Sequence, residues 1–194
     1  MIKQGRFIVI VALMAALLSG CLSNIWTASS LVYDRHNVFK KLSDYQLQLR
    51  TTNALYSDKL FKNEHCVIDI AVLNGDVLIA GHLPSQELLQ EANKRLTQVS
   101  GYRRLFNRLT VRVAKSNSIE DAWITTKIRS QIFADDTIDP NAFKVVTSDR
   151  IVYLMGDVKK EQAEKVINIA RFTSGVEWVV KMLKYFTYEV KSVA

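Results

Sequence analysis

Residues 74–81, Asn-Gly-Asp-Val-Leu-Ile-Ala-Gly, set a polar turn before a short apolar run that closes on Gly81. Residues 148–156, Ser-Asp-Arg-Ile-Val-Tyr-Leu-Met-Gly, repeat the pattern and close on Gly156. An Asn-Gly step between two alternating apolar runs is a strong hairpin signal, because a tight turn between strands needs positive φ at its centre. Upstream of each hairpin lies an amphipathic stretch, with Leu47, Thr51 and Leu55 in the first and Ile124, Ile128 and Ile132 in the second. The i, i+4, i+8 spacing places each trio on one helical face. Each stretch soon reaches an aspartate, Asp58 or Asp135.

Downstream, a second helix is predicted over Gln86–Val99 and again over Glu161–Phe172, stopping at Ser100-Gly101 and Ser174-Gly175. Glycine there can take the left-handed conformation that follows a helix end. A last alternating strand, Leu105–Val113 or Val179–Phe186, completes each copy. The order is α-β-β-α-β, twice, over residues 43–113 and 119–188. This is an α+β chain in which helices cover one face of a small mixed three-stranded sheet. Units this small bury a limited core, and the link Ala114–Ser118 is short, so the copies should dock on one another.

Composition agrees with a folded chain: 48% of the 194 residues are hydrophobic and 23% charged. Two prolines and two cysteines exclude a Pro-rich or disulfide-stapled scaffold. The strongest apolar run is Phe7–Leu18, behind Lys3 and Arg6. It is short for a bilayer span and fits the apolar core of a secretory signal. It ends at Leu18-Ser19-Gly20-Cys21, which resembles a bacterial lipobox. The resemblance implies cleavage after residue 20 and acylation of Cys21. An uncleaved helical anchor is the alternative from the residues alone. Residue 22 is Leu rather than Asp, which by the sorting rule of such lipoproteins implies the outer membrane, with the protein facing the periplasm. Residues 21–42 read as the lipidated cysteine and a partly helical tether.

Without residues 1–20 the chain carries 24 basic and 19 acidic residues. Cys66 is then the one thiol left, without an intramolecular partner. It alternates with Ile68 and Ile70 and reads as a buried, inert thiol, a reactive one being the alternative.

The repeated unit, with glycine closing its second strand and a Ser-Gly step before its last, resembles the BON domain. Two such units behind a lipobox resemble the dual-BON-domain outer-membrane lipoproteins. The match rests on residues 121–133 (DAWITTKIRSQIF), 144–147 (KVVT) and 152–156 (VYLMG), and is weaker in the first copy. The resemblance implies binding of anionic, phosphatidylglycerol-like phospholipid and support of outer-membrane integrity. It also allows contact with barrel-assembly or division-amidase components.

On a helix advancing about 100° per residue, Ile124, Ile128 and Ile132 form the core face of residues 121–133. Trp123, Thr126, Ser130 and Phe133 fall together on the opposite face, with Lys127 and Arg129 at its edges. Aromatics with hydroxyls and cations beside them suit a headgroup interface. Packing of Trp123 and Phe133 against the first domain or the tether is the alternative. In the first copy the corresponding face carries Gln46, Leu49, Asn53 and Tyr56 and lacks the tryptophan, so lipid docking should belong mainly to the second domain.

Charge runs the other way. Lys94, Arg95, Arg103, Arg104, Arg108, Arg112 and Lys115 occur in a stretch without an acidic residue. This is a solvated face or an accessory patch for anionic lipid, lipopolysaccharide phosphate or an acidic partner. An adaptor working through this basic first domain is the competing function, and a soluble stress protein of the same domain family a weaker one. Nucleic acid does not suit the expected compartment.

Nothing in the chain points to catalysis. His36, His65 and His82 are scattered and have no metal-ligand spacing, and nucleophile-elbow, P-loop, HExxH and CxxC motifs are absent. Asp135-Asp136 and Asp157 read as turn residues. The expectation is a binding protein without catalytic residues, metal or cofactor.

Overall fold

The computed structural model describes residues 31–186, with side chains from Phe39 onward. The leader, Cys21 and the first part of the expected tether lie outside the described residues. Helix α1 (Leu31–Tyr56) is followed by β1 (Val67–Leu73), β2 (Asp76–Leu83), α2 (Gln86–Leu96) and β3 (Arg104–Val111). The second half repeats the order with α3 (Ser118–Ala134), β4 (Phe143–Ser148), β5 (Ile151–Val158), α4 (Lys160–Phe172) and β6 (Trp178–Tyr185). One short 3₁₀ turn, Pro140–Ala142, leads into β4. The last part of the expected, partly helical tether is helical from Leu31.

Each sheet has its second strand in the centre, antiparallel to the first and parallel to the third. The centre strand is apolar on both faces for a physical reason. Val77, Ile79 and Leu83 point to the helices with Leu47, Leu55, Ala92 and Leu96. Leu78 and Ala80 point the other way, where they meet Tyr153, Met155 and Met182 of the second domain. In the second half Val152, Leu154 and Val158 face Ile124, Ile128, Ile132 and Val166. The two sheets therefore pack face to face, and each carries its helices on its outer face. Thr51, the polar member of the first helical trio, is fully buried and donates its hydroxyl to the Leu47 carbonyl at 2.8 Å.

Glycine closes the central strands because another backbone crosses there. A Cβ at Gly81 would sit 2.1 Å from the Val67 carbonyl oxygen, and at Gly156 2.5 Å from that of Ala142.

The two hairpin turns share a tether to the preceding helix. Asp44 accepts from the amides of Asn74 and Gly75 at 2.7 and 2.8 Å. Asp121 accepts from those of Asp149 and Arg150 at 2.9 and 2.8 Å. All four turn residues have positive φ.

Candidate functional site

Helix α3 owes its place to the isoleucine stripe, which is almost completely buried. That fixes the opposite stripe in solvent. Trp123 is 62% exposed and Phe133 79%, so neither packs onto the first domain. Thr126 and Ser130 lie exposed between them. Thr126 returns its hydroxyl to the Ala122 carbonyl at 2.8 Å, which leaves the helix face smooth.

Of the two flanking cations, Arg129 reaches into solvent. Lys127 is drawn in: its Nζ donates to the Ser174 carbonyl at 2.6 Å and stands 6.0 Å from the centre of the Trp123 ring. It orients the indole as well as carrying charge.

One residue outside the expected set, Ile119, extends this face. Ile119, one turn before Trp123, is 86% exposed, and Phe172 at the end of α4 is 87% exposed. Ile119 carries the i, i+4 relation to Trp123 and was legible from spacing. Phe172 lies elsewhere, beside Gln131 and Asp135 at another edge of α3. Ser118, Ile119, Ala122, Trp123 and Thr126 line a shallow groove of about 450 Å³ along the helix. The first domain differs at the corresponding positions. Tyr56, which corresponds to Phe133, is partly buried and donates its hydroxyl to the Ile68 carbonyl at 3.3 Å. Leu49 is exposed.

The basic stretch does not form an open patch. Arg95 is held by Asp58 at 2.7 Å and Glu91 at 2.9 Å, and Glu91 also meets Lys94. Arg103 grips Asp76 at 2.7 Å and reaches Asp157 of the second domain with both terminal nitrogens, at 2.9 and 3.0 Å. Arg104 closes on the same Asp76. Arg112 crosses to Asp149 at 2.7 Å. Within this set Arg108 alone has no ion-pair partner among the described residues. A run free of acids in sequence is therefore neutralised by acids brought from elsewhere in the fold. Burial by itself would raise the Asp76 carboxyl, but the Arg103 and Arg104 hydrogen bonds outweigh it and hold it below the usual range.

Asp157 is likewise corrected: it lies in β5 and ties the domains together through Arg103, rather than standing free in a turn. His82 is the member of the clasp that composition could not reveal. It is fully buried on β2, with Nδ1 2.7 Å from the Asp149 carboxylate and Nε2 3.0 Å from the Ala114 carbonyl. The linker between the domains is thus pinned to the first domain by a ring that also binds the second.

The paired carboxylates resolve as a helix-end turn. Asp135 accepts from the Thr137 amide at 3.0 Å and from its hydroxyl, with Lys165 beyond, and its carboxyl is held low mainly by the Thr137 side chain. Cys66 sits just before β1, half-buried, with its thiol pushed up by burial. Asn63 donates to Sγ at 3.0 Å. Among the described residues no cluster of His, Cys, Asp or Glu could hold a metal ion. No described helix is long and apolar enough to cross a membrane.

Comparison with known proteins places this geometry. The chain is 29% identical to the outer membrane lipoprotein DolP of Haemophilus influenzae, over 87% of this chain and 90% of that one. It is 27% identical to the 21 kDa hemolysin of Actinobacillus pleuropneumoniae, over 78% and 79% of the two chains. It is 33% identical to the osmotically-inducible protein Y of Escherichia coli, over 56% of each. The BON domain matches twice, at residues 43–113 and 120–185, one match on each α-β-β-α-β unit. The chain belongs to the BON-domain family, with two copies of the domain packed sheet to sheet.

Proposed function

We propose that this protein is an outer-membrane lipoprotein, acylated at Cys21 and facing the periplasm, whose second BON domain docks on anionic phospholipid through α3. The observation that carries the reading is the solvent-exposed aromatic stripe of that helix, where Trp123 and Phe133 line up on the face opposite the buried isoleucines. A monomer rarely leaves such residues aligned in water without a use for them. Trp123 would sit at headgroup level, with Phe133 and Ile119 entering the acyl boundary and Ser130 and Thr126 meeting the polar layer. Lys127 and Arg129 supply the attraction to anionic lipid, each contributing on the order of 1 kcal/mol near the surface. The lipobox-like Leu18–Cys21 and the similarity to DolP, named as an outer membrane lipoprotein, support the location.

The adaptor reading, through the basic first domain, is the second reading, and it is the less favoured because most of its basic residues are engaged in ion pairs. In unlipidated mature chain carrying Cys21→Ser, Trp123→Ala should weaken co-sedimentation with phosphatidylglycerol vesicles roughly five- to ten-fold, from lost aromatic burial. Its unfolding free energy should stay within about 0.5 kcal/mol of the parent, since the ring is mostly in solvent. Unchanged vesicle binding would remove α3 as the docking element.

A further inference from the structure

The two ends of the domain interface are closed by different chemistry. Where β2 begins, Arg103 of the first domain holds Asp157 of the second at 2.9 and 3.0 Å. A guanidinium keeps its charge at any pH the protein meets, so that contact is permanent. Where β2 ends stands His82, fully buried, with Nδ1 2.7 Å from Asp149 Oδ2 and Nε2 3.0 Å from the Ala114 carbonyl oxygen. Between the two lies the apolar contact of Leu78 and Ala80 with Tyr153 and Met155.

The partners of His82 dictate what the ring must carry. The Ala114 carbonyl can only accept, and so can an ionised Asp149 oxygen, so the two contacts together need a proton on each ring nitrogen. Drawing the second proton on Asp149 Oδ2 instead leaves the count unchanged. A neutral imidazole beside a carboxylate has one N–H and cannot serve both. Burial leaves it no solvent to turn to, and an acceptor set against an acceptor in a desolvated site costs free energy. On losing a proton the ring therefore gives up one partner. Its bond to the carboxylate is the charge-assisted and stronger one, so the Ala114 carbonyl is released, and the linker with it.

Charged and titratable groups face this clasp from every neighbouring element. Arg112, just past β3, donates to the other Asp149 oxygen at 2.7 Å. Asp121 on α3 accepts from the amides of Asp149 and Arg150, which holds the turn in place beside the ring. Asp69 on β1 has its carboxyl pushed up by burial and is near enough to feel the charge of His82. Tyr153 of β5 feels the charges of Asp149, Arg108 and Asp69. On the linker side His65 sets Nδ1 3.4 Å from the same Ala114 carbonyl, and Glu64 pairs with both His65 and Lys115.

We propose that His82 is a proton-dependent latch: with two ring protons it ties the interdomain linker to the hairpin turn of the second domain, and with one it lets the linker go. The Arg103–Asp157 contact stays closed at the far end. Acid therefore locks the two-domain body, and alkali frees the second domain to turn about the Arg103 end. The latch holds no ligand and does not depend on whether α3 meets a membrane.

The test follows the ring nitrogens and the linker together by NMR in the mature Cys21→Ser chain, from about pH 5 to about pH 9, a span that covers the ordinary titration of imidazole. The His82 ring should carry two protons at the acid end and one, on Nδ1, at the alkaline end. Carbon-13 relaxation at the Cα of Ala114, Lys115 and Ser116 reads the linker without interference from amide exchange. Their order parameters should fall from about 0.85 to below about 0.6 as the proton is lost, the change from rigid to flexible backbone. A ring with one proton throughout, a ring with two throughout, or a linker that does not loosen with the loss of the proton would overturn the latch, and none of these outcomes needs a variant. Asp149→Asn tests the proton count. Asparagine suits the positive φ of residue 149, and its amide can donate to a bare Nδ1 while its oxygen accepts from Arg112. The neutral ring then keeps its one proton for Ala114, so the linker of this variant should stay ordered at about pH 9. A linker there as loose as in the parent would overturn the latch. His65→Gln should leave the response in place, and its disappearance would reject His82 as the switch.

Discussion

Helices α1 and α3 are counterparts whose inner faces agree and whose outer faces do not. Leu47, Thr51 and Leu55 are buried as completely as Ile124, Ile128 and Ile132, and Asp44 holds its hairpin turn as Asp121 does. On the outside, Gln46, Leu49, Asn53 and Tyr56 stand where α3 presents Trp123, Thr126, Ser130 and Phe133. The inner face answers to one sheet geometry and is constrained twice over. The outer face answers to whatever the protein meets, so the copies diverged there without disturbing the fold. The lesson is that function in a duplicated domain is sought where the copies part company.

The sharpest strain on this comparison comes from the strand-closing glycines. Both must be small, but Gly81 also has φ near +123° while Gly156 does not fall in the positive region. Gly81→Ala should cost about 4 kcal/mol or more, and Gly156→Ala about 2–3 kcal/mol, since only the first adds backbone strain to overpacking. Denaturant unfolding of the two variants checks the order, and equal losses would mean that close approach alone sets the penalty.

The hairpin turns should separate next. Asn74-Gly75 suits positive φ by residue type, whereas Asp149-Arg150 adopts it without a glycine. Removing the helix carboxylate should therefore hurt the second turn more. Asp121→Ala is expected to lose about 2–4 kcal/mol and Asp44→Ala about 1–2 kcal/mol, because half-buried amides lose their acceptor in each and the second turn has no intrinsic preference to fall back on. Thermal unfolding with matched heat-capacity analysis would resolve the gap.

The smallest expected difference is read in pH. The folded Asp76 carboxyl is held low by its two arginines, so its contribution is present above the unfolded value of about 4 and is lost as pH falls through the folded one. The folded Asp121 carboxyl is raised by burial, against the pull of the Arg150 and Asp149 amides. Its protonation therefore favours the folded state below the unfolded value, and that benefit is lost as pH rises through the raised one. Asp76→Asn should destabilise by about 1–3 kcal/mol at pH 7, since the partly exposed arginines can rehydrate, and by much less near pH 2. A pH-independent loss in stability curves at several pH values would show that Asp76 acts through shape and not charge.

Much of the architecture was legible because it rests on local chemistry. A period of about 3.6 marked the helix faces, a period of two the strands, and Asn74-Gly75 the first turn. The exposure of Trp123 and Phe133 followed from the same periodicity once the isoleucines were assigned to the core. The basic stretch misled because charge counted along the chain ignores partners distant in sequence. Asp58 and Asp76 reach those arginines only when the first domain folds, and Asp149 and Asp157 only when the two sheets meet. His82 was silent for the same reason, its Asp149 and Ala114 partners lying on the second domain and the linker.

The sequence by itself determined the repeated α-β-β-α-β unit, its core faces and the aromatic stripe on α3, because periodicity, turn chemistry and glycine placement act between near neighbours. The tertiary structure alone decided which charges are paired across the fold and that His82 and Arg103 clasp the two domains together. Those are properties of surfaces brought together from distant parts of the chain, and no local pattern encodes them.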